Sequence, residues 1–145
     1  MNSYDILNYL LVELFKDITN IEEKAVITPE FKDITNNDMH IIEAIGRTSS
    51  KNMSTIAKTL SVTVGTLTIA INNLVKKDYV RRVRSDQDRR VVLISLTEKG
   101  RKAYDHHKNF HQQMIDSIIK EFPEEEMAVL VKALKNLTEF FRRYE

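Results

Sequence analysis

Val80 to Gly100, VRRVRSDQDRRVVLISLTEKG, reads as a short arginine-rich β-hairpin. Period-two alternation sends Val92, Ile94 and Leu96 to one face and Val91, Leu93 and Ser95 to the other. Tyr79 to Arg84, β-branched, aromatic and basic, supplies the partner strand, and Ser85-Asp86-Gln87-Asp88 between them tolerates turn conformations. The connection is longer than a minimal hairpin, so a protruding tip carrying Arg89 and Arg90 is expected. Taken alone, such a hairpin is equally well a solvated edge kept soluble by its arginines.

The segment before it tips the balance. Met53 to Lys77, MSTIAKTLSVTVGTLTIAINNLVKK, divides into two helical halves around Ser61-Val62-Thr63. Ser54 is a capping residue for the first half, with Ile56, Ala57 and Leu60 at core spacing. In the second half Val64, Leu67, Ile71, Leu74 and Asp78 share a stripe, the first four apolar. The opposite face carries Gly65, Thr66, Thr68, Ile69, Asn72, Asn73 and Lys76. An ordinary surface helix favours Glu and Lys, which hold helicity better than Thr, Gly and Asn. A helix that enters the major groove needs small side chains for close approach and Thr or Asn for base edges. Helix, turn, polar helix and basic hairpin in that order suggest a winged helix-turn-helix, a module that grips duplex DNA.

Asp88-x-Arg90, the alternating aliphatics after it and Leu96-Thr97-x-x-Gly100 resemble the signature of the MarR (multiple antibiotic resistance regulator) family, whose order of elements covers nearly the whole chain. Within it the chain is similar to the fatty-acid-synthesis repressors of Gram-positive bacteria. The matching segments are Phe31-Lys32-Asp33-Ile34, Asp38-Met39-His40, Val64-Gly65-Thr66, Asn72-Asn73-Leu74, Arg84-Ser85-x-Gln87-Asp88-Arg89-Arg90-Val91-Val92 and His107-x-x-Phe110-His111-x-x-Met114. The resemblance implies a dimeric transcriptional repressor whose operator binding is strengthened by long-chain acyl groups on acyl carrier protein. That in turn requires an apolar tunnel, for which Leu10, Leu14, Ile18, Met39, Ile42, Phe110 and Met114 are candidates; the same residues serve equally as dimer core.

Composition agrees. A chain of 145 residues with 42% hydrophobic content suits one compact domain. From Lys76 to Lys102 ten Lys or Arg face four Asp or Glu, a net +6, so the remainder carries −5 of the total +1. A basic patch on an acidic body is the footprint of a DNA binder. No apolar run is long enough to span a bilayer, and MNSYDILNYL lacks the basic lead of a signal peptide, so no membrane partner and a cytoplasmic location are expected. The absence of cysteine excludes disulfides, thiolate ligands and the thiol-based peroxide sensing of some MarR relatives.

Residues from about Ser3 to Ile27 form a helix apolar on more than one stripe, through Ile6, Leu7, Leu10, Leu11, Leu14, Phe15, Ile18 and Ile21. Thr35-x-x-Asp38 resembles a capping box opening a helix that buries Met39, Ile42 and Ile45 and stops at Gly46. A long helix from about Thr97 to Glu121 breaks near Phe122-Pro123, and Glu124, Glu125 and Glu126 suit the next first turn. Met127, Leu130, Leu134, Leu137 and Phe141 then recur at spacings of three and four, a coiled-coil-like seam. A two-fold dimer covers these apolar helices and sets two recognition helices one helical turn apart, suited to a palindrome.

Catalysis finds no support: three glycines, Gly46, Gly65 and Gly100, build no phosphate loop, and no serine or threonine lies in an activating context. No cofactor is expected. The competing sensor is zinc, held by His40, His107 and His111 with a carboxylate from Glu22 or Glu23, since zinc-sensing MarR relatives use ligands on these helices; packing or hydrogen bonding accounts for the same histidines.

The fold expected is therefore mainly α with a small β-hairpin wing: a winged helix-turn-helix over 35–100 and a helical dimerisation region over 1–34 and 101–145. The residues expected at DNA are Thr63, Gly65, Thr66, Thr68, Ile69, Asn72, Asn73, Lys76, Arg84, Ser85, Asp88, Arg89 and Arg90.

Overall fold

The computed structural model describes residues 2–144. In chain order the elements are α1 (Ser3–Val26), α2 (Asn36–Ile45), β1 (Lys51–Asn52), α3 (Met53–Leu60), α4 (Val64–Lys76), β2 (Val80–Arg84), β3 (Val92–Leu96), α5 (Glu98–Ile119) and α6 (Glu124–Arg142). This is the expected mainly helical chain with a winged helix-turn-helix. It divides into two compact units, Met1–Lys108 and Asn109–Glu145. No single helix among the described residues is long and apolar enough to cross a membrane.

In the first unit the helix ends follow local chemistry. Thr35 Oγ1 accepts the Asp38 N–H at 3.0 Å while Asp38 Oδ2 accepts the Thr35 N–H at 3.1 Å, the reciprocal capping box of α2. Gly46 ends that helix at φ +86°, a conformation that suits glycine. The start of α3 departs from expectation. Asn52 is its cap, with Oδ1 accepting the Thr55 N–H at 2.8 Å, and Ser54 lies inside the first turn. Just before it, Lys51 and Asn52 pair with Ile94 and Leu93, adding a third strand in the order β1-β3-β2. Two polar residues carry no alternation to read.

Ile42, Ile45, Ile56, Ile71, Leu74 and Ile94 are fully enclosed, so α2, α3, α4 and the sheet share one core. Val64 departs from the expected stripe: at 44% exposure it lies outside the core, which takes up α4 only from Leu67 onward. The hairpin closes on α5 at a buried point. Tyr79 is completely enclosed, donates its hydroxyl to Asp33 Oδ1 at 2.7 Å, and carries the Lys99 ammonium 4.4 Å above its ring. Burial, and then the Asp33 carboxylate, hold the Tyr79 hydroxyl well above its ordinary pKa, so it remains a donor. Thr97 donates its N–H to Tyr79 O and accepts the Gly100 N–H at its hydroxyl. At Gly100 a Cβ would stand 2.0 Å from Tyr79 O, so only glycine fits.

The second unit holds the end of α5 and all of α6. Pro123 precedes α6, and Glu124, Glu125 and Glu126 occupy its first turn, where the helix dipole favours acids. No α6 side chain is buried: Met127, Leu130 and Leu137 are half-covered, whereas Leu134 and Phe141 are exposed.

Candidate nucleic-acid interface

The helix-turn-helix is built by caps. Ser61 ends α3 in the left-handed conformation, φ 55°, and two residues later Thr63 opens α4 by accepting the Thr66 N–H at 3.1 Å. Thr63 is thereby committed to the helix start, and its hydroxyl also donates to Thr66 Oγ1 at 2.9 Å. With Leu67, Ile71 and Leu74 in the core, α4 turns Gly65, Thr66, Thr68, Ile69, Asn72, Asn73 and Lys76 outward, all exposed. Thr68 donates its hydroxyl back to Val64 O at 2.8 Å.

Two contacts fix this helix against the rest of the unit. At its C-terminal end Lys77 forms a 2.9 Å ion pair with Asp38, whose side chain is nearly buried. On its outer face Asn72 Oδ1 accepts a hydrogen bond from the Arg82 guanidinium on β2, joining α4 to the hairpin. Arg82 and Lys77 were not among the expected site residues. A signal for Arg82 existed, since the alternation that places Arg84 on one face of β2 places Arg82 beside it. For Lys77 there was none, because its partner lies 39 residues away.

In the wing, β2 and β3 pair from Val80↔Leu96 to Arg84↔Val92, and Ser85–Val91 forms the tip. Ser85 Oγ accepts the Gln87 and Asp88 N–H groups, which makes it a turn builder. Arg84 donates to Arg89 O at 2.8 Å. Asp88 grips Arg90 with both oxygens, Nε to Oδ1 at 3.1 Å and Nη2 to Oδ2 at 3.0 Å, and Oδ1 also accepts the Arg90 N–H. That hydrogen bonding holds the Asp88 carboxyl below its usual pKa. The Arg90 side chain is nevertheless 91% exposed, a cation directed outward by its pairing with Asp88. Arg81, Arg82, Arg84 and Arg89 are exposed on the same hairpin.

The expected effector residues separate by burial. In the first unit Met39 and Ile42 are sealed in the core, Ile18 is half-covered, and Leu10 and Leu14 are 52% and 54% exposed on α1. In the second unit Phe110 and Met114 are half-covered. His40 lines a cleft of about 350 Å³ between α2, α3 and α4, alongside Asn37, Thr59, Val62 and Thr66. His107 is buried, with Nε2 2.7 Å from Glu43 Oε1 and 3.3 Å from Glu22 Oε1. One imidazole thus ties α1 and α2 to α5. His111, in the second unit, meets the Phe110 ring edge-on.

Residues 24–107 match the family model described as transcriptional regulator SarA/Rot. In structure the chain is similar to Streptococcus pneumoniae FabT, solved in complex with DNA, at 43% identity, TM-score 0.85, and coverage of 99% of this chain and 100% of that one. In sequence it is 30% identical over 112 residues to the transcriptional regulator ZitR of Lactococcus lactis, covering 75% of this chain and 77% of ZitR. It is 28% identical over 137 residues to the HTH-type transcriptional regulator YpoP of Bacillus subtilis, covering 92% of each.

Proposed function

The chain belongs to the SarA/Rot transcriptional regulators, a MarR-like winged-helix family, and we propose that it represses type II fatty-acid-synthesis genes, binding a palindromic operator as a homodimer with acyl-acyl carrier protein as co-repressor. The observation that carries this reading is the 43% identity to pneumococcal FabT along nearly the whole chain. It agrees with the segments that resemble fatty-acid-synthesis repressors. The relatives are regulators rather than enzymes.

In this reading α4 lies in the major groove, where Thr66, Thr68 and Asn73 meet base edges and Lys76 meets a phosphate, and Arg90 enters the adjacent minor groove. Dimerisation is supported by the large apolar side chains left exposed along α1, from Ile6, Leu7 and Leu10 to Phe15 and Ile21, far more than an isolated surface helix presents.

The division of roles on α4 has a distinct signature. Asn73→Ala should relax preference at particular base pairs, at about 1–3 kcal/mol each. Lys76→Ala should lower affinity for all sequences alike and reduce the salt slope by about one per protomer. Anisotropy titrations at several salt concentrations check both, and equal, sequence-independent losses would refute the division.

The co-repressor claim is tested by titrating fluorescent promoter DNA from fatty-acid-synthesis genes with and without acylated carrier protein. Acylated carrier protein should tighten wild-type binding about tenfold or more, within the usual range of allosteric coupling. Leu14→Trp, at a position on α1 expected to line the effector tunnel, should abolish that gain and leave basal binding and the dimer intact, the dimer checked by size-exclusion chromatography. Absence of any gain in the wild type, together with tight zinc binding by metal-stripped protein that is lost in His107→Ala, would replace this reading with a metal-responsive one.

A further inference from the structure

Ile69 occupies the middle of the outward face of α4, with Gly65 one turn before it and Asn72, Asn73 and Lys76 in the two turns after it. It is 68% exposed, against 40% for Val62 and 44% for Val64. A lone exposed aliphatic on an ordinary surface needs no explanation. Its surroundings set this one apart. Gly65 has an ordinary helical backbone, and a Cβ there would meet only Thr63 Oγ1, at 3.9 Å. Nothing within the chain requires the glycine, which weakens the helix relative to alanine and leaves the approach to Ile69 open.

The polar neighbours are partly committed inside the protein. Thr68 has given its hydroxyl hydrogen to Val64 O, Thr66 Oγ1 accepts from Thr63, and Asn72 Oδ1 is held by Arg82. The centre of the face therefore offers a branched aliphatic beside a gap. In the major groove, the apolar feature that distinguishes one base from another is the thymine C5-methyl group. Resting on the DNA-binding reading above, we infer that Ile69 is a specificity-determining residue that selects thymine by burying its C5-methyl group, Gly65 giving the base edge room to approach.

The test uses the full chain and a duplex that it selects from a randomised pool. Deoxyuridine, which lacks only the methyl group, replaces thymine one position at a time across a half-site, and affinities are read by anisotropy for wild type, Ile69→Ala and Ile69→Val. One position should weaken wild-type binding about fourfold, the worth of one methyl group removed from water. Ile69→Ala, which removes the contact in both half-sites of the dimer, should lose about sixteenfold on the unmodified duplex and show no further loss with deoxyuridine at that position, whereas Ile69→Val should keep most of the discrimination. The exposure of Ile69 leaves the fold of both variants intact, checked by circular dichroism. A wild type indifferent to every deoxyuridine, or an Ile69→Ala variant that keeps the full penalty, overturns the inference while DNA binding stands. Failure of the wild type to select any duplex removes the DNA-binding reading and this inference with it.

Discussion

Arg90→Ala should weaken operator binding about tenfold to a hundredfold at physiological salt with the fold unchanged. The side chain is 91% exposed, so its removal opens no cavity, and both oxygens of Asp88 bias it toward this outward position. An outward-pointing arginine suits a narrow minor groove, where A·T tracts concentrate negative potential. A direct arginine contact to a base edge is worth about 1–3 kcal/mol where it has been assessed, in the major groove, and the same order is expected here. Asp88 itself repels phosphate and acts through Arg90. Because Arg90 lowers the Asp88 pKa, the carboxylate is ionised and the brace present at neutral and mildly acidic pH; it is lost only as pH falls through the depressed value, below the ordinary carboxylate range. Anisotropy with the selected duplex reads the effect, and unaltered affinity would remove Arg90 from the interface.

Gly100→Ala should be the most damaging small substitution for stability, costing about 3 kcal/mol or more, the upper end for overpacking. The added Cβ would stand 2.0 Å from Tyr79 O and 3.3 Å from Leu96 Cβ. The first of these is backbone, so relief demands movement of the chain where it enters β2. That junction also carries the Thr97 N–H to Tyr79 O bond and the buried Tyr79–Asp33 contact, so movement there disturbs several bonds at once. Urea denaturation would show a lowered midpoint. A midpoint equal to wild type would mean that the junction is looser than these distances imply. Gly65→Ala provides the contrast, since open space at that site lets the fold accept the methyl group.

Legibility in the sequence followed the range of the interactions. Thr35 and Asp38, three residues apart, announce their capping box because both partners are local. Gly46 and Pro123 mark helix ends for reasons confined to their own backbones. The β3 alternation is readable because a sheet face repeats every second residue. Asn52 and Ser54 are both good caps, and only the bond actually made, to Thr55, distinguishes them. β1 left no trace because two polar residues have no period. The Lys77–Asp38 and Tyr79–Asp33 contacts span 39 and 46 residues, and the steric demand at Gly100 exists only once Tyr79 O lies over it. At the candidate site, helical periodicity identified the outward face of α4 but not how it is held, since Arg82 reaches Asn72 from another element. The apolar excess of α1 was equally plain, yet a dimer core and a lipid-binding surface share that pattern.

Hydroxyl-radical footprinting of the full chain on a duplex selected from a randomised pool tests the central claim most directly. If α4 reads the major groove and Arg90 the minor groove in each half of a dimer, protection should fall in two symmetry-related blocks. Their centres should lie one helical turn, about 34–36 Å, apart, with flanking minor-groove protection that disappears in Arg90→Ala. Uniform protection without symmetry, or flanking protection that persists in Arg90→Ala, would contradict the account.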